Sequence, residues 1–170
     1  MFESSMPKHK VGILLPLSIV DNAAYEFYRL APPGIMQVMI PIGLGEFSAA
    51  DVERALFKPL AKNLDKLMER GVHMVVQSGT PLPILIGIEA HDRMIEFMEK
   101  HTGKPATSTT LSVTRSAKHL GMKSIAEWAE DRATVQSLAE AGVDYVQGFA
   151  VSRAQDPSLI LGAQSSASFI

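Results

Sequence analysis

Short apolar runs alternate with longer amphipathic ones along most of this chain, and that rhythm admits few folds. It is the sequence form of a parallel β-sheet covered on both faces by helices. The runs at residues 11–15, 36–40, 74–77, 106–109, 124–126 and 145–148 are short and either nearly continuous in apolar residues or β-branched. Strands buried on both faces have that composition. A helix is expected over about residues 49–70: Ser48 can cap it, Asp51 complements its dipole, and Val52, Leu56, Leu60, Leu64 and Leu67 recur on one face before Gly71 stops it. Further helices are expected over about 88–101, 111–120 and 131–141, the last capped by Asp131. In the first of these, Met94, Ile95, Phe97 and Met98 read as inward positions, whereas His91 and Asp92, with Glu89 and Glu96 nearby, have the spacing of a solvated face. The expected fold is an α/β, flavodoxin-like, open doubly wound sheet of about six strands. It forms a single domain over residues 11–160, after a tail at 1–10 and before a loose, Ser-rich end at 161–170; a short helix around 157–162 fits the last part.

Composition narrows the function. With 16 Lys+Arg against 18 Asp+Glu, a formal charge of -2 and no basic block, nucleic acid is not expected as a partner. There is no cysteine, so disulfides, thiolate metal sites and thiol nucleophiles are excluded. The apolar stretch 11–20 is too short to span a bilayer and contains Pro16, so no membrane association is expected and a cytoplasmic location is the default. Gly43-Leu44-Gly45 follows the second strand and lacks the third glycine of a dinucleotide loop, and no Gly-Lys-Ser/Thr run is present; no cofactor is implied.

In an open parallel sheet, ligands sit beyond the C-terminal ends of the strands. The residues there are Pro16-Leu17-Ser18, Pro41-Ile42-Gly43-Leu44-Gly45, Ser78-Gly79-Thr80-Pro81 and Thr109-Thr110. Small, hydroxyl-bearing and glycine-rich, they suit a small carboxylate or other anion held by backbone N–H groups and hydroxyls, and equally suit tight turns and helix caps. None of the five histidines falls just after a strand, so Ser78 and Thr80 read as caps rather than nucleophiles.

Two resemblances follow from the order of motifs. Val11-Gly12-Ile13-Leu14-Leu15-Pro16, Gly43-Leu44-Gly45, Val75-Val76-Gln77-Ser78-Gly79-Thr80, Thr102-Gly103-Lys104-Pro105 and Leu120-Gly121 resemble, over residues 11 to about 122, the N-terminal half of the aspartate/glutamate racemase superfamily, most closely its arylmalonate decarboxylase and maleate isomerase branches. That resemblance implies a site between two α/β halves, with one proton-carrying cysteine in each. It places Gly79 where the first cysteine stands, as in the decarboxylase branch, and Thr80 in a carboxylate-holding loop. Pro81 takes the place of a hydroxyl residue. It also implies that two copies forming a homodimer would be needed to imitate a two-half site.

Gly121-Met122-Lys123-Ser124-Ile125-Ala126-Glu127, Trp128-Ala129-Glu130 and Gly142-Val143-Asp144-Tyr145-Val146-Gln147-Gly148-Phe149 resemble the last part of an EAL-type cyclic di-GMP phosphodiesterase, over about residues 120–157. By this resemblance Glu127 matches a glutamate of the catalytic centre and Gln147 a ligand-contacting glutamine. The Glu-Ala-Leu signature and the Asn, Asp and Lys of earlier barrel strands are absent, so these two are vestigial positions and no metal site is expected. Trp128 reads as a packing residue. The two resemblances together imply a chimera joined at Leu120-Gly121, its last βαβ part (residues 123–160) barrel-derived, with no catalytic residue and with ligand-binding positions at Pro16, Gly43, Ser78, Gly79 and Thr80.

Overall fold

The computed structural model describes residues 7–18, 22–46, 48–79 and 82–153. They divide into two compact units, residues 1–112 and 113–170. In the first, β1 (His9–Leu15) lies between β2 (Ile35–Pro41) and β3 (Met74–Gln77), and β3 pairs in turn with β4 (Ala106–Ser108). All pairings are parallel, in the order β2-β1-β3-β4. Leu14 is in register with Ile40 and Gln77, and Gln77 with Ser108, so these side chains share a face. That face is the core: Leu14 and Val75 are sealed there with Val52, Leu56, Leu64, Leu67, Met94 and Met98. Val11, Ile13, Met39, Met74 and Val76, on the other face, are half-buried.

The long helix expected over 49–70 is broken into α2 (Ala49–Val52), one π turn (Glu53–Phe57) and α3 (Leu60–Glu69). Pro59 is the cause. It brings no N–H for the carbonyl of Ala55, and its ring crowds that carbonyl. The preceding turn therefore widens, with Lys58 N–H reaching back to Glu53 O at 3.0 Å. The apolar stripe survives the break, since Val52, Leu56, Leu60, Leu64 and Leu67 are all buried. Ser48 does cap α2, its side chain accepting from Asp51 N–H.

After α4 (Leu82–Ile86), α5 (Ile88–Thr102) corrects the expected helix face. Its buried stripe is His91, Met94, Ile95, Met98 and Thr102, whereas Phe97 is 43% exposed. The actual stripe runs at spacings of three and four from position 91, which puts the histidine inside and the phenylalanine out. One helix, α1 (Asn22–Leu30), has no counterpart among the sequence expectations. Tyr25, Tyr28 and Leu30 are exposed, whereas Ala24 and Phe27 are half-buried, so its inward face is narrow.

The boundary between the units falls within α6 (Thr109–His119). The second unit holds β5 (Ile125–Ala126), α7 (Arg132–Glu140) and β6 (Tyr145–Val146), with Asp131 capping α7 through Thr134 N–H at 2.7 Å. Six strands are thus present among the described residues, in an α/β fold with parallel pairing, but β5 and β6 form a sheet of their own rather than extending the first. Each is two residues long, and Ile125 and Tyr145, in register on one face, are 61% and 57% exposed. The expected N-terminal residues 1–6, the helix around 157–162 and the end at 161–170 lie outside the described residues. Among the described residues no helix is long and apolar enough to cross a membrane.

Asp144 ties the second unit together. It accepts from Lys123 Nζ (2.7 Å), Ser124 N–H (2.9 Å) and Ser124 Oγ (3.1 Å), and Lys123 together with these donors holds its carboxyl down at about 2. A carboxylate with a depressed folded pKa contributes stability above its ordinary value of 3.8 and loses it as pH falls toward 2. The unit is therefore expected to lose part of its stability between about pH 4 and 2. Asp144→Asn should lower neutral-pH stability and flatten that acid arm in a pH-resolved melt.

Candidate functional site

A sheet ordered β2-β1-β3-β4 reverses its winding between β1 and β3, and in open α/β sheets ligands bind beyond the C-terminal strand ends at such a point. Pro16 follows β1 and is buried; Ser78 and Gly79 follow β3 and are half-buried. Ser78 N–H donates to Leu14 O at 2.9 Å, and Gly79 O accepts from Leu82 N–H at 3.3 Å, so the loop is pinned at one end to β1 and at the other to the start of α4. Gly79 has φ +108°, and a Cβ added there would stand 2.9 Å from Pro16 Cγ. Both the backbone and the space demand glycine at this position. The Ser78 hydroxyl makes no hydrogen bond among the described residues. Thr80 and Pro81 lie outside the described residues.

The β2 loop closes against the same strand end: Ile42 N–H donates to Leu15 O and Leu44 N–H to Pro16 O, each at 2.8 Å. Here the expectation of a glycine-rich anion cradle is corrected. The Asp51 carboxylate already accepts from Gly45 N–H and from Glu46 N–H (3.0 Å), and it pairs with the Arg54 guanidinium. Arg54 and the two N–H groups hold Asp51 below the usual carboxylate range, so it is a resident anion that fills this nest. Gly43 is left as a turn residue whose nearest side-chain neighbour is Ser18, with Arg54 Nη2 3.5 Å from its carbonyl. The sequence reading placed Asp51 at the dipole and missed this loop-holding role; its position three residues after a capping serine was the available signal.

Three buried polar groups were not anticipated. Gln77, fully buried, donates from Nε2 to Ser78 O while its Oε1 has no partner among the described residues. Ser108, also fully buried, caps α6 by accepting from Leu111 N–H at 3.1 Å. His91 is fully buried with neither ring nitrogen hydrogen-bonded. A polar residue ending an apolar strand was the only sequence signal for the first two.

In the second unit, Glu127 and Gln147 follow β5 and β6 directly, and both are exposed. Gln147 N–H donates to Ala126 O (2.8 Å) and Gln147 O accepts from Ala129 N–H (3.0 Å), so the backbone brings the two positions side by side. Among the described residues no group of three or more His, Asp or Glu side chains is arranged to hold a metal ion. Trp128, expected to pack, is instead 80% exposed, with Nε1–H donating to Glu130 Oε1 at 2.6 Å. It has φ +64°, a left-handed conformation that a bulky L-residue adopts only at a cost of about 1–2 kcal/mol. Trp128→Gly is expected to raise the stability of this unit by about 1 kcal/mol, read as a higher urea midpoint at unchanged slope.

No curated protein matches this chain. The EAL domain family matches residues 87–154. Among solved structures, the chain is similar to a Gly-to-Cys, Cys-to-Ser double mutant of arylmalonate decarboxylase in the liganded form, at 18% identity over 90% of this chain and 69% of that one, with a TM-score of 0.67. It is similar to the maleate isomerase Iso from Pseudomonas putida S16, at 14% identity over 92% and 74% and a TM-score of 0.65. It is also similar to the Nocardia farcinica maleate cis-trans isomerase bound to TRIS, at 11% identity over 84% and 64% and a TM-score of 0.65. At these identities the likeness is one of fold, an α/β fold with a parallel sheet. The EAL match starts at residue 87 rather than near 120, so α5, β4 and α6 fall within both likenesses.

Proposed function

We propose that the first unit binds a small carboxylate at the β1 and β3 strand ends without turning it over, in a chain that is a hybrid of a racemase-like part and an EAL-derived part. The contact between Pro16 and Gly79 carries this reading. Proton exchange at a substrate carbon needs a positioned acid or base. The position that the resemblance assigns to such a group is Gly79, where any side chain must push the Pro16 ring aside and adopt a disfavoured φ. Holding a carboxylate demands hydrogen-bond donors, and the Ser78 and Ser18 hydroxyls supply that chemistry at the ends of β3 and β1. Small dicarboxylates are the ligands to test, because two of the similar structures are maleate isomerases.

A homodimer that decarboxylates or isomerises such compounds is the competing reading; it rests on the fold of those neighbours. Residual cyclic di-GMP binding at Glu127 and Gln147 rests on the match over residues 87–154.

The test is thermal unfolding with malonate, maleate and phenylmalonate, alongside sizing of the oligomer and assay of each compound for conversion. A ligand at 100 times its Kd adds about 2.7 kcal/mol, which is visible as a raised Tm. The expected result is a shift with a dicarboxylate, no conversion, and a smaller shift in Ser78→Ala. A Tm unmoved by all three compounds would contradict the binding; conversion would contradict the absence of turnover.

A further inference from the structure

We propose that His91 is an acid-sensitive latch, whose neutral ring keeps α4 docked on α5 and whose protonation releases α4. His91 lies in the first turn of α5, its N–H donating to Gly87 O at 3.1 Å. Side chains on a helix lean toward its N-terminus, so the ring lies over the turn that contains Gly87, the one-residue joint between α4 and α5. Gly87 has φ +78°, and α4 and α5 pack on one another around it. The ring is fully buried and neither nitrogen has a hydrogen-bond partner. A neutral imidazole tolerates that site far better than an imidazolium, which would need water or a counter-ion on both N–H groups.

The charged surroundings do not rescue the cation. Asp92 Oδ1 is 3.5 Å from Nδ1 but is outside hydrogen-bonding geometry, and its side chain is 59% exposed. The elements packed most extensively on α5 are α3, α4 and β4. Neither α4 nor β4 contains a titratable residue, and on α3 the carboxylate of Asp65 is committed to His101 at 2.8 Å. Lys62, Lys66 and Glu69 of α3 are exposed, as are Glu89 and Arg93 of α5, which face each other. Burial accordingly pushes the imidazole below its ordinary 6.5, with Asp92 opposing weakly. For a histidine with a depressed folded pKa, the native arrangement is fully favoured above about pH 6.5 and loses stability as pH falls through the folded value.

The experiment is amide hydrogen exchange of the whole chain, corrected for intrinsic rates, between pH 7.5 and 5. Protection of residues 82–91 is expected to fall, at a limit of about tenfold per pH unit for one proton, while protection of α3 holds. His91→Met, close in volume and not titratable, should remove that dependence. If His91→Met does not fold, ring titration of the five histidines by NMR decides in the wild type: His91 must protonate last, together with the loss of protection in α4. Flat protection in the wild type, an unchanged dependence in His91→Met, or normal titration near 6.5 with α4 still protected would each overturn the latch. Because Gly79 O anchors the first residue of α4, malonate affinity should decline over the same range; that arm rests on the carboxylate reading. Acid-dependent exchange in a protein that does not bind malonate at pH 8 would sink the carboxylate reading and leave the latch standing.

Discussion

Gly148→Ala is expected to unfold the second unit while leaving the first intact. A Cβ at Gly148 would fall 2.2 Å from Ala129 O, 2.3 Å from Ala129 N and 2.7 Å from Ala129 C, all backbone atoms that cannot swing away. Gly148 also has φ +153°, where L-residues are strained. The hydrogen bonds on either side of it, Ala129 N–H to Gln147 O at 3.0 Å and Ala150 N–H to Ala129 O at 2.9 Å, join the loops after β5 and β6. Steric overlap and backbone strain together are expected to cost about 3 kcal/mol or more, against a two-stranded parallel sheet with little reserve. Limited proteolysis mapped by mass should show cleavage within residues 113–153 at least about tenfold faster than in the wild type, since roughly 1.4 kcal/mol already gives that factor. Resistance across residues 8–108 should not change. A variant as resistant as the wild type throughout would mean that Ala129 and Gly148 do not meet as described.

The second large effect belongs to the first unit. Leu67 on α3 is fully buried, and its Cδ1 and Cδ2 atoms would lie 3.0 and 3.2 Å from a Cβ at Gly12 of β1. The glycine lets the helix settle directly on the strand, so truncating the leucine opens a cavity that the neighbouring strand cannot fill. Leu67→Ala should cost about 3–5 kcal/mol. Gly12→Ala alone should also destabilise, because Leu67 and Val72 must give way. In the double variant the new methyl enters the space the leucine left, so the combined loss should be smaller than the sum. Strict additivity in urea unfolding would contradict this packing.

The first unit was legible in the sequence because its strands and helices bury one face each. The runs at 36–40 and 74–77 lie within β2 and coincide with β3, and the stripe from Val52 to Leu67 is buried as its spacing required. What the spacing could not convey was Pro59 widening the helix from within, since a single proline reads equally as a break, a kink or a π turn. His91 and Phe97 exchanged places for a related reason. Hydrophobicity alone put the aromatic ring inward, whereas the helical phase set by Met94, Ile95 and Met98 put the imidazole there.

Among the candidate site residues, Pro16, Ser78 and Gly79 were picked by a rule about strand ends, and the backbone brings them together. Gly43 was found by the same rule, but its loop is closed on Asp51, a contact between residues whose pairing only the fold reveals. The second unit was legible as strand, helix and strand, yet runs as short as 124–126 and 145–148 do not tell whether a parallel pair joins a larger sheet. Trp128 was misread because burial is the usual fate of tryptophan, and only the dihedral angle marks it as exceptional.

The central claim is that a small carboxylate is held at the β1 and β3 strand ends, beside the Ser78-Gly79 turn. The most direct measurement is a titration of the amide-resolved protein with malonate at pH 8, followed through the backbone N–H signals of residues 17–18, 43–46, 78–79 and 108. Saturable shifts centred on Ser78 and Gly79, weakened in Ser78→Ala and accompanied by no loss of malonate, are the expected result. Shifts that are absent there, or that cluster instead around Glu127 and Gln147, would contradict it.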